Sequence, residues 1–468
     1  MVFSSSIFIF AFLPITLFLY YLFTPSRFLQ NVWLVIASLF FYAWGEPRTV
    51  FLMLLSILAN YIFGLLAAHF RSRKLCLRLV LVLMLGYNLG ILFIFKYLTF
   101  TASIVGISLG RTIALPIGIS FYTFQAISYV IDISRGNGKA QKNPLNVALY
   151  IAFFPQLIAG PIVRYETIAL QIQNRRETLD GFTCGTKRFI KGLAKKLLLA
   201  NAFSPVADYA FTHIDSLSVC SAWIGALCYM MQIYFDFSGY SDMAIGMGKM
   251  FGFEFPENFD YPYISQSVTE FWRRWHISLG SWFRDYVYIP LGGSRVSTKA
   301  RLVLNLFAVW SLTGIWHGAN WTFIFWGLWY FALLTFEKLS GFARKEKGRA
   351  LHCISYLYTM LAVLFGWVVF RADSMQDAFS YLRTMFVSTN GFADSLSAFL
   401  TGDLLILMVI AILESTSVLH RCGCLLEEKT KHPVFTKLLT SAAYLILFLL
   451  CIGASVNSSY NPFIYFNF

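Results

Sequence analysis

Glu270–Arg295 reads EFWRRWHISLGSWFRDYVYIPLGGSR, and Thr313–Trp321 reads TGIWHGANW. Each stretch holds one histidine, His276 and His317, among tryptophans, arginines and glycines that a plain membrane span does not need. The chain has seven histidines, and the other five fall in loops, loop edges or segment ends. Drawn as a helix, the first stretch puts Trp272, His276, Leu279 and Phe283 at i, i+4, i+7 and i+11, on one stripe. Arg274, Ser278 and Asp285 fall on another face. The spacing therefore predicts one helix, with His276 among the aromatics, stopped by the turn from Pro290 to Gly293. In the second stretch His317 stands beside Gly314 and Gly318, with Trp316 and Trp321 close by. Small residues at membrane depth let a backbone or a ligand approach closely. An ionisable side chain inside a membrane is costly, which makes both histidines candidates for function.

The rest of the chain places these stretches in a membrane. It has 468 residues, 58% hydrophobic and only 13% charged, with a mean hydropathy of +0.64; soluble domains carry about 25% charge. Apolar runs of about 17–20 residues recur, the length that spans a bilayer. They are continuous rather than alternating, which argues against a β-barrel. The expectation is an all-α polytopic membrane protein, one integral-membrane domain over residues 1–468, with about eleven or twelve crossings or half-crossings. The net charge of +14 reads as the basic bias of cytoplasmic loops rather than as a nucleic-acid surface. Eight cysteines show no metal-ligand spacing, and Cys422-x-Cys424 is an isolated pair in a loop. The apolar start lacks a basic leader and a small-residue cleavage site, so it reads as a retained span.

Lysine and arginine cluster at 69–78, 132–145, 295–301, 338–350 and 421–437, which predicts those loops inside and the N-terminus outside. Early runs fall at about 5–23, 31–44, 49–68, 79–95 and 113–131, the fourth leaving the membrane at Lys96. Residues 145–160 are short and flanked by basic groups on both sides. They read as a re-entrant segment broken at Gly160-Pro161. Residues 182–199 read as an interfacial helix on the cytoplasmic surface, with Phe189, Ile190, Leu193 and Leu197 on one arc and Lys187, Arg188, Lys191 and Lys195 on the other. A run at about 219–237 ends in YFDFSGYSD, so Asp236 and Asp242 stand at a span end. They are either paired end groups or the lining of a polar cavity. Runs 302–316 and 320–337 between basic flanks make a hairpin with His317 at its tip; its first arm rises about 22 Å, which sets the imidazole deep and nearer the outer side. Final spans are expected at about 354–370, 402–419 and 438–454.

A neutral imidazole can take a proton from a hydroxyl and return it to a leaving group, and burial favours the neutral ring. Acyl transfer from a thioester to an alcohol needs that one proton moved and an oxyanion held; Trp316, Trp321 and Asn320 offer N–H donors. The ring could also carry the acyl group itself. No nucleophile-elbow serine, P-loop or HExxH motif occurs, so hydrolase, ATPase and metalloprotease readings lack support. On residue grounds alone each histidine also reads as a core group hydrogen-bonded across helices, and the inference stops at a membrane protein with a buried histidine site.

The two histidine blocks, together with LPIGISFYTFQAISYVID at 115–132, FFPQLIAGPIVR at 153–164 and YFDFSGYSDMAIG at 234–246, closely resemble the membrane-bound O-acyltransferase family, in particular its bacterial branch of alginate and peptidoglycan O-acetyltransferase membrane subunits. The resemblance implies a ring of transmembrane helices around a thinner centre with a tunnel. His317 matches the principal catalytic histidine and His276 the second motif histidine. It implies no bound cofactor and no metal, and acetyl-CoA or another acyl thioester as the cytosolic donor. The acceptor side implied is an extracytoplasmic partner of the SGNH type and a polysaccharide hydroxyl, with the protein in the bacterial cytoplasmic membrane. Arg273 and Arg274 are the expected contacts to the coenzyme A phosphates; Trp316, Asn320 and Asp236 complete the expected substrate contacts. Two other classes compete. A transporter or flippase would use an intramembrane acidic pair, for which Asp236 and Asp242 are the available residues. A non-catalytic scaffold would keep its function without either histidine.

Overall fold

The computed structural model describes residues 1–468 except 109, 111–112, 159, 343–347, 394–400, 420, 424–432, 458–463 and 465–468. Arg344, Lys345 and Lys347 of the basic loop at 338–350, Cys424, Lys429 and Lys431 of the loop at 421–437, and most of the final tail lie outside the described residues. Every regular element among the described residues is helical. Five helical segments, at 27–45, 50–69, 74–104, 350–371 and 436–456, are long and apolar enough to cross a membrane. The protein is thus an all-α, multi-pass membrane protein. Its described residues group into two compact units: Met1–Gly192 with Tyr240–Pro256, and Leu193–Gly239 with Glu257–Phe468.

The first unit begins with α1 (Leu13–Leu22), α2 (Arg27–Gly45), α3 (Val50–His69) and α4 (Lys74–Leu92). A π-helical turn, Phe93–Tyr97, joins α4 to α5 (Leu98–Ile104). Lys96, expected at a membrane exit, lies inside this continuous helical run and is buried, its Nζ donating to Ser120 Oγ at 3.3 Å. A π turn carries one extra residue, which re-aims the side chains that follow. Buried Asn60 and Asn88 tie α3 to α4 by exchanging side-chain hydrogen bonds of 2.8 and 3.1 Å, the polar bond that helices use in lipid.

Next come α6 (Ile119–Arg135), α7 (Pro144–Ala152), α8 (Phe154–Leu157), α9 (Tyr165–Asn174) and α10 (Leu179–Ala194). α7 has nine residues, about 14 Å, too short to cross a bilayer. The segment breaks twice, at Phe153 (φ −55°, ψ 111°) and again after α8, where the expected Gly160-Pro161 opens a stretch without regular structure, 160–164. Pro155 has no N–H, and its ring would clash with the carbonyl of Ile151 if α7 ran on; Ser38 Oγ accepts the N–H that the break at Phe153 releases from Phe154 (3.1 Å). α11 (Asn201–Thr212), which belongs to the second unit, and α12 (Val219–Met250), whose residues up to Gly239 belong to the second unit and the rest to the first, follow. α12 is one helix of 32 residues, so Asp236 and Asp242 stand mid-helix and buried, not at a span end. Residues 182–192 of the expected interfacial helix pack against α12 within the first unit. A Cβ on Gly185 would lie 2.5 Å from Gly246 O, and one on Gly246 would lie 2.6 Å from Gly185 O. Arg188 of the basic arc donates to Asp242 Oδ1 from Nε (2.9 Å) and from its terminal nitrogen (2.7 Å). Two glycines let the backbones touch, and a carboxylate faces the arginine.

The second unit adds α13 (Val268–Arg274), α14 (Ile277–Phe283), α15 (Lys299–His317), α16 (Trp321–Ser340), α17 (Arg349–Arg371), α18 (Met375–Thr384), α19 (Gly402–Glu414) and α20 (Pro433–Asn457). The α15–α16 hairpin forms where the sequence predicts it, with His317 at its tip. The glycines there make no room for a ligand: a Cβ on Gly314 would lie 2.5 Å from Phe323 O, one on Gly327 would lie 2.5 Å from Trp310 O, and the Phe323 ring fills the space beside Gly318. They bring the two arms together. α19 has 13 residues and ends at Glu414, short of the expected 402–419 run.

Candidate active site

The predicted single helix over the first histidine block is two helices. α13 ends where Trp275 turns extended (φ −100°, ψ 129°), and His276 follows in the left-handed region (φ 45°, ψ 53°) as the residue that opens α14. Such a conformation is strained for a residue with a Cβ, by about 1–3 kcal/mol, and persists only where neighbours hold it. Here the loop before α13 holds it. Asp260 N–H donates to Arg274 O (2.9 Å), and Ile277 N–H donates to Asn258 O (3.0 Å). Asn258 Oδ1 accepts from Ser278 N–H (3.2 Å) and Ser278 Oγ (2.8 Å). A backbone N–H only donates, so that amide atom is oxygen; His276 Nδ1, 3.1 Å from it, then carries the proton. In the neutral ring this leaves the lone pair on Nε2.

The kink also parts the residues that helical spacing puts on one stripe. Trp272 packs on Trp310, Trp326 and Tyr330, with ring centroids 5.0, 5.4 and 4.8 Å away. His276 turns edge-on to Phe237 at 4.7 Å. After α14 a π-helical turn, Arg284–Tyr288, leads into the expected Gly292–Gly293 turn, where both glycines have positive φ and Asn305 Nδ2 holds Gly293 O at 3.0 Å.

His317 is the last residue of α15 and 3% exposed. Its ring is boxed edge-to-face by Trp316 (4.8 Å), Trp326 (4.9 Å) and Phe370 (5.1 Å). Trp316 also lies 6.3 Å from the His276 ring, so one indole neighbours both imidazoles. Beside them is a cavity of about 570 Å³. Trp272, Arg273, Trp275 and His276 form one wall, Trp310 and Thr313 of α15 another, and Arg284 and Lys338 also line it. Among the described residues, Trp316 and His317 stand outside that lining.

The expected substrate residues separate accordingly. Arg273 is exposed and lines the cavity. Arg274 does not: its guanidinium is taken up by Glu270 Oε1 (3.0 Å), Asp260 Oδ2 (3.1 Å) and Asp260 O (3.0 Å). Asn320 caps α16, accepting from Thr322 N–H (3.3 Å) and donating to Asp373 O (2.9 Å), and so shapes the hairpin tip. Asp236 is 2.5 Å from Lys196 Nζ, both buried, and accepts from Ile464 N–H at 2.9 Å; it is an ion-pair member and does not line the cavity. Four residues escaped sequence reasoning: Asn258, Arg284, Lys338 and Glu337. Of these, Glu337 carried a readable signal, a carboxylate closing an apolar run. Among the described residues no group of three or more histidine, cysteine, aspartate or glutamate side chains could hold a metal.

Residues 140–370 match the family model of MBOAT, the membrane-bound O-acyltransferase family. A probable alginate O-acetylase of Pseudomonas putida is 42% identical, the alignment covering 100% of both chains. The chain belongs to the membrane-bound O-acyltransferase family. This O-acyltransferase is also 36% identical to a peptidoglycan O-acetyltransferase of Helicobacter pylori, over 84% of its own length and 80% of the relative's. A teichoic acid D-alanyltransferase of Bacillus subtilis is 31% identical over 54% of this chain and 68% of its own. The matched region of the O-acyltransferase contains the kink, the hairpin, both histidines and every residue lining the cavity.

Proposed function

We propose that this membrane O-acyltransferase takes an acetyl group from acetyl-CoA, or another acyl group from a cytosolic thioester, and passes it outward to a hydroxyl. The final acceptor is a polysaccharide, reached through an extracytoplasmic partner of the SGNH type, and the protein works in the bacterial cytoplasmic membrane. The observation that carries this reading is the cavity beside the kink. It has an aromatic interior for a thioester arm, Arg273, Arg284 and Lys338 for phosphates, and the imidazole of His276 in its wall. Of the arginines expected to bind the donor, this keeps Arg273 and drops Arg274.

His276, held at Nδ1 by Asn258, orients the thioester. His317 serves as the general base: it accepts the hydroxyl proton as that oxygen attacks the thioester carbonyl, and returns it to the departing thiolate as the carbon–sulfur bond breaks. Before that step the thioester end has to reach His317 from the cavity, past Trp316, while the acceptor hydroxyl comes from the outer side. The names of the relatives favour alginate-like or peptidoglycan-like acceptors.

The test is purified protein in lipid vesicles, given labelled acetyl-CoA with and without candidate partner proteins and the two polysaccharides. The expected result is thiol release and label transfer that depend on His317 and on a partner. Thioester turnover that is absent under all these conditions, or that persists at full rate in a folded His317→Ala protein, would overturn the reading.

A further inference from the structure

We infer that Glu337 is a positioning residue, a clamp on α13 that sets where Arg273 and His276 stand. The kinetic part of this inference rests on the proposed function. Glu337 is 1% exposed, near the end of α16. Both of its carboxylate oxygens are engaged: Oε1 accepts from Val268 N–H (2.7 Å), and Oε2 accepts from Thr269 N–H (2.8 Å) and Thr269 Oγ1 (2.6 Å).

Val268 and Thr269 are the first two residues of α13. Their N–H groups are among those that any helix start leaves unmatched, and a charged acceptor binds them more strongly than a neutral one. α13 does not need this carboxylate to begin, because Ser267 Oγ already takes the Glu270 N–H at 3.0 Å. A hydroxyl or a water could satisfy the other two donors without bringing a carboxylate into an apolar interior, which is costly. What Glu337 adds is a tie between elements 69 residues apart.

That tie connects the two histidines mechanically. α16 packs Trp326 against His317; eleven residues later, about 16 Å along the same helix, it grips α13. α13 has seven residues and ends at the kink, so its position is set by what holds its two ends. Asn258 and Asp260 hold the end at His276, and Glu337 holds the start. Thr269, which the clamp grips, and Lys338, which follows it in α16, both line the cavity. Movement of α13 would shift the cavity wall against His317, and misplacement by about 1 Å in such a constellation costs about 100-fold in rate.

The experiment compares Glu337→Ala, Glu337→Gln and Val268→Pro in the full-length protein. Val268→Pro leaves the carboxylate in place and removes one donor, at the first helical position, where proline is well accommodated. The preceding Ser267 is extended (φ −157°, ψ 154°), as a residue before proline prefers. Two readouts are taken: hydrogen exchange along 269–283, and kcat and KM for donor turnover. In Glu337→Ala, exchange should rise over 269–283 while α15 and the first half of α16 stay protected, and kcat/KM should fall about 10–100-fold. Glu337→Gln, which keeps an acceptor oxygen, should fall between Ala and the parent, and Val268→Pro should move both readouts in the same direction as Ala. Unchanged kinetics in folded variants would overturn the proposal. So would a loss accompanied by equal exchange in all helices, which would make Glu337 a general stability residue. If Glu337→Ala does not fold, the other two variants decide. If the parent itself turns over no thioester, the proposed function fails, while the exchange pattern still reports on the clamp.

Discussion

α15 carries His317 on nineteen residues of helix that run unbroken to the imidazole, whereas α13 and α14, seven residues each, carry His276 on the kink between them. In the hairpin, the histidine is placed by regular geometry: two arms close enough to touch at Gly314 and Gly327, and an aromatic box closed by Trp326 and Phe370. In the kinked pair it is placed by exception: a left-handed residue, strapped by Asn258, on a short helix held at its start by Glu337. The first arrangement holds its ring by packing and the second by hydrogen bonds from outside its own helices. The two should therefore fail differently when altered.

The hairpin side should show the largest effect. His317→Ala is expected to lower acyl transfer by about 10²–10⁴-fold while the detergent melting temperature stays close to that of the parent. A trapped acyl-histidine adduct on His317 would instead replace the general-base step with a covalent one. On the kink side, ring chemistry and backbone strain can be separated. Asparagine tolerates the left-handed region far better than a β-branched residue, so His276→Asn should keep the fold and lose about 10-fold in kcat/KM. His276→Val should add a loss of stability of about 1–3 kcal/mol, read from thermal unfolding. Equal stability of the two variants would mean that the kink is not strained, and the contrast with the hairpin would collapse.

Gly314→Ala and Gly327→Ala probe the packing of the hairpin itself. Each added methyl meets a carbonyl oxygen of the other arm, and each should cost about 1–3 kcal/mol of stability, with activity falling only as the folded fraction falls. The smallest effects should come from the two neighbouring arginines. Arg273→Ala should raise the donor KM several-fold with kcat little changed, the pattern of lost ground-state binding. Arg274→Ala should cost only about 0.2–1 kcal/mol of stability and leave donor KM alone. Equal KM effects at the two positions would return Arg274 to the donor site.

The same contrast explains what could be read from the sequence. Helix class, the multi-pass character, and the hairpin with His317 at its tip follow from apolar run length and basic flanks, which are properties of whole segments. The kink does not follow, because EFWRRWHISLGSWF has good helical periodicity and neither proline nor glycine at His276; the bonds that break it come from Asn258 and Asp260, earlier in the chain. The reading of 182–199 missed that helix's packing partners for a related reason. Its basic arc is real, but Arg188 answers Asp242, and Gly185 answers Gly246, across some sixty residues. In the sequence the arginines at 273 and 274 look equivalent; in the structure Glu270 and Asp260 claim one of them. Local pattern states which faces are polar; it does not state which distant residue will meet them.

The Lys196–Asp236 pair bears on how the chain enters the membrane at all. Each charge alone would be costly in an apolar interior and would oppose entry of its segment into lipid. Together, 2.5 Å apart, they form a nearly neutral dipole. The helical run that carries Lys196 is synthesised first and has to wait for α12 to emerge before its charge is matched. Lateral release of these two segments is therefore best made as one event, late and joint, and a ribosome paused between them would hold an unpaired lysine at the channel's side gate.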